Sequence, residues 1–258
     1  EVTFRTPAAE ESIRIMADQF PDMLLGAGTV LTTEQADRAI AAGAKFIVSP
    51  GFNPKVVSHC IEKNIPITPG ISNPSDMEQA IEMGLDAVKF FPAVPSGGLS
   101  MIKALAAPYH TMRFMPTGGV TPQNLTEFLD YPKILACGGT WMVKPELLAT
   151  GNFEEITRLT RQTVRTMLDL KIDELTLPFP HTGNNLSDVL HGLINLSSGS
   201  TKELTISCRY LKRTIYHLEK NGATFRYDNA KYDSAGNMDA IDFSDAPEEF
   251  SIRLIEKH

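Results

Sequence analysis

The sequence predicts an α/β fold in which repeated strand–helix units form a parallel sheet. Short runs rich in β-branched and aromatic residues alternate along the chain with helical patterns of about 10 to 15 residues, which is the spacing of βα units. The chain has 258 residues, of which 42% are apolar. That is enough for one large barrel, or for a domain of ordinary size with a smaller one.

Seven strands are predicted in the first part of the chain. In order, they are EVTF (1–4), MLLGAGTV (23–30), AKFIVSP (44–50), IPITPG (65–70), AVKFFPA (87–93), RFMPTGG (113–119) and ILACGGTW (134–141). The intervening helices are AEESIRIMADQF (9–20), TEQADRAIAAG (33–43), NPKVVSHCIEKN (53–64), NPSDMEQAIEMG (73–84) and TPQNLTEFLD (121–130). Thr or Asn stands near most helix starts, where its side chain can act as an N-cap.

This order predicts a (β/α)8 TIM barrel that lacks its first βα unit in this sequence, since seven strands are one fewer than the barrel needs. The first predicted strand opens the chain without a methionine. A barrel without its first unit would expose unpaired backbone groups along a seam. We therefore expect the biological protein to contain further residues before Glu1.

Composition excludes several classes of protein. The formal charge of −7 argues against a nucleic-acid partner or an anionic membrane surface, both of which favour a basic face. The three cysteines are widely spaced with no CxxC pair, which indicates reduced thiols and neither a disulfide framework nor a zinc site. No apolar run reaches the length of a transmembrane helix. We expect a cytoplasmic protein.

Lys89 is the first candidate catalytic residue. In AVKFFPA, side-chain alternation places Ala87, Lys89 and Phe91 on one face and Val88 and Phe90 on the other. If the second face packs against the helices, Lys89 points into the barrel. Desolvation would lower the pKa of its amine, which could then attack a ketone and form a Schiff base. A salt-bridged lysine at a strand edge would fit the same pattern.

Two further groups of residues favour catalysis. Glu1 and Arg5 share a strand face in EVTFRT, so a carboxylate for proton transfer and a guanidinium for a substrate carboxylate could enter the same barrel mouth. A structural ion pair between them remains an alternative. The motifs GAGT, SPG, TPG, FFPA, PTGG and CGGT all fall at carboxyl ends of strands, the edge that carries barrel active sites. The last two can bind phosphate through backbone N–H groups.

These motifs, in this order and spacing, resemble the 2-keto-3-deoxy-6-phosphogluconate (KDPG) aldolase family, which also includes 4-hydroxy-2-oxoglutarate (KHG) aldolases. The resemblance rests on EVTFRT, GAGTV, SPG, PGI, KFFPA, PTGG and GGTW, and covers about residues 1 to 170. It implies a trimeric (β/α)8 barrel and a class I aldolase with no metal or other cofactor. It further implies a lyase of the Entner–Doudoroff pathway of carbohydrate metabolism, which releases pyruvate from a phosphorylated 2-keto acid.

The resemblance also implies roles for single residues. Lys89 corresponds to the Schiff-base lysine and Glu1 to the general acid/base. The implied substrate-binding residues are Arg5 and Thr29 for the carboxylate, Pro50, Phe91 and Thr117 for the pocket wall, and Gly118, Gly119, Gly138, Gly139 and Thr140 for the distal phosphate. Many sugar-acid phosphate enzymes of the family have serine where this chain has Thr140. The preference between KDPG and KHG therefore stays open.

The composition changes after about residue 175, so residues 1–175 are assigned to the barrel and residues 176–258 to a small α+β domain. TLPFPHTGNN (176–185) has the prolines and turn formers of a linker. The remainder reads as KELTISCR, YLKRTIYHLEKNGA, TFRYDNAKYD, MDAIDFSD and FSIRLIEKH, a βαβββ-like pattern. It resembles a module of the glyoxalase and bleomycin-resistance group, for which we expect a scaffold or oligomer-contact role. His181 is a weak metal-ligand candidate there, and Arg253 stands where a second ligand would be wanted.

Two other functions are compatible with the same loops. A phosphate-binding barrel of the isomerase or epimerase type would share the glycines without needing a buried lysine beside an acid. A noncatalytic sugar-phosphate sensor would keep the pocket and tolerate loss of the lysine or the glutamate.

Overall fold

The computed structural model describes residues 1–178, 195–197, 202–248 and 250–257. They form two compact units, Glu1–Thr150 and Gly151–His258. No helix in these ranges is both long and apolar enough to cross a membrane.

The first unit contains short parallel strands in the predicted order. They are β1 (Val2–Thr3), β2 (Gly26–Gly28), β3 (Phe46–Val48), β4 (Ile67–Thr68), β5 (Gly70–Ile71), β6 (Ala87–Phe90) and β7 (Arg113–Pro116). One sheet has the order β1-β2-β3-β4 and the other β5-β6-β7. Only Pro69 separates β4 from β5, so the two are successive parts of the predicted strand IPITPG. All these pairings are parallel, as expected for a barrel built from βα units.

The last predicted strand of the barrel is reduced to two isolated bridges. Ile134 pairs with Phe114 and Gly138 pairs with Thr117, both in parallel. The chain therefore follows the edge of β7 without forming a continuous ladder. Gly138, at the second bridge, and Gly139, which follows it, have no side chains to pack against β7, which is consistent with the weak pairing.

The helices of the first unit follow their strands. They are α1 (Ala8–Gln19), α2 (Thr33–Ala41), α3 (Pro54–Glu62), α4 (Pro74–Glu82), α5 (Gly98–Ala106), α6 (Leu125–Leu129) and α7 (Pro145–Ala149). The predicted caps are confirmed for three of them, because Thr32, Asn53 and Asn73 each accept a hydrogen bond from a backbone N–H of the first turn. Helix α5 was not predicted. It begins at Gly98, the second residue of a glycine pair that is typical of a loop, and Gly97 before it adopts a left-handed φ of 102°.

The core of the first unit lies between the parallel strands and their helices. From the strands it includes Ala27, Ile47 and Ile67, and from the helices Ile13, Ala36, Val57 and Cys60, all buried. Val88 and Phe90 of β6 are also fully buried. This packing sets the orientation of the alternate residues of β6, because neighbouring side chains of a strand point to opposite faces.

The second unit combines a long helix with a six-stranded sheet. Its elements are α8 (Phe153–Leu168), β8 (Lys171–Pro178), β9 (Asn195–Ser197), β10 (Lys202–Cys208), α9 (Leu211–Glu219), β11 (Phe225–Tyr232), β12 (Met238–Phe243) and β13 (Phe250–Glu256). The sheet order is β11-β12-β13-β10-β8-β9. Residues 202–256 thus have the predicted order of strand, helix and three strands.

Two elements of the second unit differ from the sequence prediction. Strand β8 passes through the predicted boundary at 175/176, so residues 176–178 are not a linker, and residues 179–185 lie outside the described ranges. Its antiparallel pairing with β10 replaces the expected loop. The other is α8, whose start is marked by Asn152, which accepts a hydrogen bond from the N–H of Glu155.

Candidate active site

Lys89 is buried in the middle of β6, with a side chain that is 4% exposed. Its strand lies between β5 and β7, and its register partners are Gly70 and Met115, neither of which carries a charge. The predicted burial is confirmed. The backbone N–H of Lys89 donates to the carbonyl of Pro69 at 2.9 Å, which fixes the residue where β4 gives way to β5.

The Lys89 ammonium has an unusual environment for a buried charge. Among the described residues it forms no salt bridge and no hydrogen bond. Its Nζ lies 4.9 Å from the centroid of the Phe91 ring. Burial lowers the pKa of the Lys89 amine below its ordinary value of 10.5, Glu1 acts in the opposite direction, and Arg5 lowers the pKa further. The direction predicted from the sequence is confirmed.

Glu1 lies beside the neighbouring strand. The parallel pairing of β1 with β2 puts Thr3 opposite Gly28. A Cβ placed on Gly28 would collide with the carboxylate of Glu1, so that carboxylate lies directly against the Gly28 backbone. Within the described part of the chain, Glu1 and Arg5 form no ion pair with each other. Both act electrostatically on Lys89, which places an acid and a guanidinium near the amine.

Thr29 and Pro50 follow β2 and β3 at the carboxyl edge of the same sheet. Thr29 has a φ of 57°, a left-handed conformation that is rare for a β-branched residue. Such strain persists where surrounding structure holds it in place, and it is concentrated at functional sites. A Cβ on Gly70 would collide with the Pro50 carbonyl, so the absence of a side chain at position 70 lets the Pro50 loop lie against β5.

Phe91 and Thr117 follow β6 and β7. The peptide bond from Phe91 to Pro92 is cis. Thr117 donates its backbone N–H to the Phe90 carbonyl at 3.1 Å and accepts from the Ala93 N–H at 2.8 Å. Its side-chain hydroxyl is buried and has no hydrogen-bond partner among the described residues. A buried polar atom without a partner is expensive, which marks this hydroxyl as a contact point for a ligand or a bound water.

Gly118 and Gly119 form the turn after β7, with left-handed φ values of 94° and 85°. Other residues fix this turn. The Gly118 carbonyl accepts from the Val94 N–H at 3.0 Å, and Asn124 donates its side-chain amide to the Gly119 carbonyl at 3.0 Å. With both carbonyls engaged, the backbone N–H groups of the turn are held in one orientation, as a backbone anion site requires.

The second glycine pair is arranged differently. Gly138 donates its N–H to the Pro116 carbonyl at 2.9 Å, so this N–H is not available to a ligand. Gly138 also lies against the side chain of Thr117. Gly139 is covered by the indole of Trp141, which occupies the space of a side chain at 139. Thr140 is exposed and accepts a hydrogen bond from the Val143 N–H through its carbonyl.

The predicted site residues are thus connected to different degrees. Direct contacts or electrostatic coupling link Lys89 with Phe91, Glu1 and Arg5, and Phe91 lies next to Gly118. Thr29, Pro50 and Thr140 are placed by topology, because each follows a parallel strand at its carboxyl end. Three supporting residues were missed: Gly28, which gives Glu1 its space, Asn124, which holds the Gly119 carbonyl, and Trp141. Gly28 stands in the GAGT motif, which could have indicated it.

No group of three or more histidine, cysteine or acidic side chains with metal-binding geometry occurs in the residues that the structure describes. In the second unit Arg253 forms two hydrogen bonds with Asp242, at 2.7 and 3.2 Å. The strand position considered for a metal ligand therefore carries a partly buried ion pair. His181 lies outside the described residues.

Comparison with known proteins agrees with this geometry. The family model for KDPG and KHG aldolase matches residues 1–159. The chain belongs to this family. The 2-dehydro-3-deoxy-phosphogluconate aldolase of Treponema pallidum is 53% identical to it over 165 residues, which are 64% of this chain and 79% of that protein.

Solved structures of this aldolase family are also similar to the chain. The KDPG aldolase of Legionella pneumophila, with pyruvate captured at low pH as a covalent carbinolamine intermediate, has a TM-score of 0.60 and 37% identity, and the match covers 64% of this chain and 78% of that one. The Zymomonas mobilis aldolase with 3-phosphoglycerate has a TM-score of 0.56 and 40% identity, with 61% and 74% covered. The first unit therefore has the TIM-barrel-like fold of the KDPG and KHG aldolases.

The family match ends at residue 159, whereas the second unit extends over Gly151–His258. The likeness of residues 202–256 to a glyoxalase module stays a prediction.

Proposed function

We propose that this protein is a class I aldolase of the KDPG and KHG type, a lyase that forms a Schiff base through Lys89. It would cleave 2-keto-3-deoxy-6-phosphogluconate to pyruvate and glyceraldehyde 3-phosphate, and 4-hydroxy-2-oxoglutarate to pyruvate and glyoxylate. The observation that carries the proposal is a buried lysine, 4% exposed, whose amine has a lowered pKa and forms no salt bridge or hydrogen bond among the described residues. Such an amine has a larger neutral, nucleophilic fraction near pH 7 than an exposed lysine.

The reaction begins when the lone pair of Lys89 Nζ attacks the C2 carbonyl carbon of the keto acid. The C–N bond forms, the carbonyl oxygen takes a proton to give a carbinolamine, and a second proton lets that oxygen leave as water. A positively charged iminium remains. The C4 hydroxyl then loses its proton and C4 leaves as the aldehyde product as the C3–C4 bond breaks. The electron pair of that bond forms the C2–C3 double bond of an enamine, which neutralises the iminium nitrogen. Protonation at C3 and hydrolysis release pyruvate and restore the amine.

Glu1 is the residue we assign to these proton transfers. Its carboxylate is electrostatically coupled to Lys89 and is not held in an ion pair with Arg5. A carboxylate that is free of a permanent partner can accept the C4 hydroxyl proton and return a proton to C3. The relative solved with pyruvate as a carbinolamine belongs to the same family, which supports this order of steps.

We assign the substrate's ends to the two sides of Lys89. Arg5 and Thr29 would bind the carboxylate, Pro50, Phe91 and Thr117 would form the wall around the pyruvyl part, and the turns that contain Gly118, Gly119, Gly138, Gly139 and Thr140 would bind the phosphate. In this assignment Gly138 shapes the turn and does not donate, because its N–H is engaged by Pro116. The relative solved with 3-phosphoglycerate, which has a carboxylate and a phosphate, supports a site with two anion-binding ends.

The proposal extends to the assembly and setting of the enzyme. The parallel strands of the first unit would belong to a (β/α)8 barrel, and the protein would act as a homotrimer in the cytoplasm, without a metal or other cofactor and without a nucleic-acid or membrane partner. The second unit would be a glyoxalase-like scaffold or oligomer contact. Its paired Arg253 and Asp242 favour that role over metal binding, because the charges already satisfy each other.

Borohydride trapping with pyruvate tests the proposal. The protein should gain a permanent adduct of the mass of reduced pyruvate, and peptide mapping should place it on Lys89. The matched control is Lys103, a lysine of α5 outside the proposed site, whose Lys103→Met variant should trap pyruvate normally. An active protein that gives no adduct, or an adduct on another lysine, would contradict the assignment. A protein that binds phosphorylated sugars but neither traps pyruvate nor cleaves keto acids would be an isomerase, an epimerase or a sensor.

A further inference from the structure

Phe91 is the one side chain for which the structure records a direct interaction with the Lys89 ammonium among the described residues. The two residues are two positions apart, so they lie on the same side of the chain as it leaves β6. The Nζ atom is 4.9 Å from the ring centroid, within the range of a cation–π interaction. A pocket wall needs only an apolar surface of the right volume, whereas a cation over an aromatic face also has an electrostatic attraction.

The ring is held in this position by the turn after β7. A Cβ on Gly118 would lie 3.3 Å from Cε2 of Phe91 and 3.3 Å from Cα of Pro92, so the missing side chain lets the turn pack closely against the ring edge. The Gly118 carbonyl in turn accepts the Val94 N–H at 3.0 Å. The ring edge therefore packs against a backbone turn that is itself hydrogen bonded.

The charged residues near Lys89 do not stabilise its positive charge throughout the proposed reaction. Glu1 stabilises the positive charge on Lys89, but the proposed mechanism has this carboxylate accept and donate protons, and it loses its charge when it is protonated. Arg5 opposes the positive charge at every stage. The register partners on β5 and β7 are Gly70 and Met115, which do not titrate. An aromatic face does not titrate either, and its attraction to a cation is the same whatever the state of Glu1.

We propose that the face of the Phe91 ring stabilises the positive charge on Lys89 Nζ during the reaction, first as the ammonium and then as the iminium formed with pyruvate. This inference rests on the proposed Schiff-base function and adds an electrostatic role to a residue that otherwise forms only part of the wall. The iminium forms when Nζ bonds to C2 and the C2 oxygen leaves as water with two protons, so the charge is created at the atom that faces the ring. Phe91 thereby touches the reacting centre.

Fluorinated phenylalanines at position 91 test this role, because each added fluorine weakens the negative face of the ring with little change in shape. The series is phenylalanine, 4-fluoro-, 3,5-difluoro- and 3,4,5-trifluorophenylalanine, introduced by site-specific incorporation in the full chain. The readouts are the equilibrium constant for the pyruvate iminium, from borohydride trapping against pyruvate concentration, and the pKa of Lys89, from the pH dependence of its acylation without pyruvate. Both should fall stepwise, the equilibrium constant by about tenfold over the series.

Phe90 is the matched control. It is fully buried on the opposite face of β6, so the same fluorinated residues there should leave both readouts unchanged. The proposal would be overturned if the series at position 91 changed neither the equilibrium constant for iminium formation nor the Lys89 pKa, while Phe91→Leu lowered activity. Phe91 would then only form part of the pocket wall. An unsubstituted protein that gives no pyruvate adduct would instead contradict the proposed function. The two failures are therefore distinguishable.

Discussion

The carboxylate of Glu1 lies against the backbone of Gly28, in the space where any other residue at position 28 would place its side chain. The pairing of β1 with β2 brings these two residues together, although they are far apart in sequence. Because Glu1 is also coupled to Lys89, the missing side chain at position 28 determines where the proposed proton-transfer group lies.

Gly28→Ala should therefore reduce aldol cleavage by displacing Glu1. We expect a loss of about 10²- to 10⁴-fold in kcat, the range for removing a general acid/base, with near-normal thermal stability. The decisive measurement is the double variant with Glu1→Gln. If the alanine acts only through Glu1, the double variant should be no slower than Glu1→Gln alone, since the effects are not additive. Additive losses would show that position 28 affects the site in another way.

Glu1→Gln alone should lower kcat by a similar factor, because the amide keeps the shape of the side chain and cannot accept the hydroxyl proton. The pyruvate adduct should still form, since the nucleophile is intact. Glu11→Gln is the control: Glu11 is an exposed acid of α1 that pairs with Arg14, and its variant should keep full activity. A Glu1→Gln protein with unchanged kcat at pH 7 would remove Glu1 from the mechanism.

Lys89→Met should abolish cleavage and trapping but stabilise the fold, by about 1 kcal/mol at pH 7, because an apolar side chain of similar length replaces a buried amine that forms no salt bridge. The folded-state pKa of Lys89 lies below 10.5, so between these two values the unfolded chain binds a proton that the folded chain has released. Wild-type stability should consequently rise with pH across that window relative to the variant.

Urea unfolding of both proteins from pH 6 to pH 10.5 measures this difference. A variant that is less stable than the wild type at every pH would indicate a structural lysine whose charge the fold needs.

Thr140→Val should separate the two substrates. If the threonine hydroxyl binds the phosphate, kcat/KM for KDPG should fall by about 10- to 100-fold, the value of a hydrogen bond to a charged group. Cleavage of KHG should change by less than about threefold, because its distal part carries no phosphate. Thr140→Ser keeps the hydroxyl and should restore most of the KDPG activity. Equal losses of kcat/KM for both substrates would show that Thr140 is needed for the shape of the turn and does not bind the phosphate.

Aldolase activity should survive extensive treatment with EDTA. A Schiff base stabilises the carbanion by taking its electrons into the enamine, so a divalent cation has no role in the proposed steps. The measurement is the rate of pyruvate release before and after chelation and after addition of Zn²⁺, Mg²⁺ or Mn²⁺. Loss of activity with EDTA and its recovery with one of these ions would contradict the class I assignment.

The strand order and the burial of Lys89 could be predicted because they depend on local patterns. Apolar alternation in β6 determines which residues face the helices, and Thr32, Asn53 and Asn73 mark helix starts through short-range hydrogen bonds. Helix α8 was not predicted, although its start has a comparable local signal, an Asn152 N-cap followed three residues later by Glu155.

Features that depend on contacts between distant segments could not be predicted in the same way. The contact of the Glu1 carboxylate with Gly28 depends on the register in which β1 pairs with β2. That register cannot be read from the local sequence pattern of either strand. Strand β8 gains its order from pairing with β10, although it ends at Pro178, a residue typical of linkers. The helix predicted over 121–130 is shortened to Leu125–Leu129 because Asn124 bonds to the Thr121 N–H and the Gly119 carbonyl instead.

The indole that covers Gly139 belongs to the one tryptophan in the sequence. All tryptophan fluorescence of the protein therefore originates beside a turn to which we assign the substrate phosphate, and no signal from elsewhere in the chain overlaps it. A phosphorylated ligand that settles next to Gly139 changes the polarity around this single fluorophore. The chain thus contains its own optical reporter, and occupancy of the proposed phosphate end can be titrated without a label and without turnover.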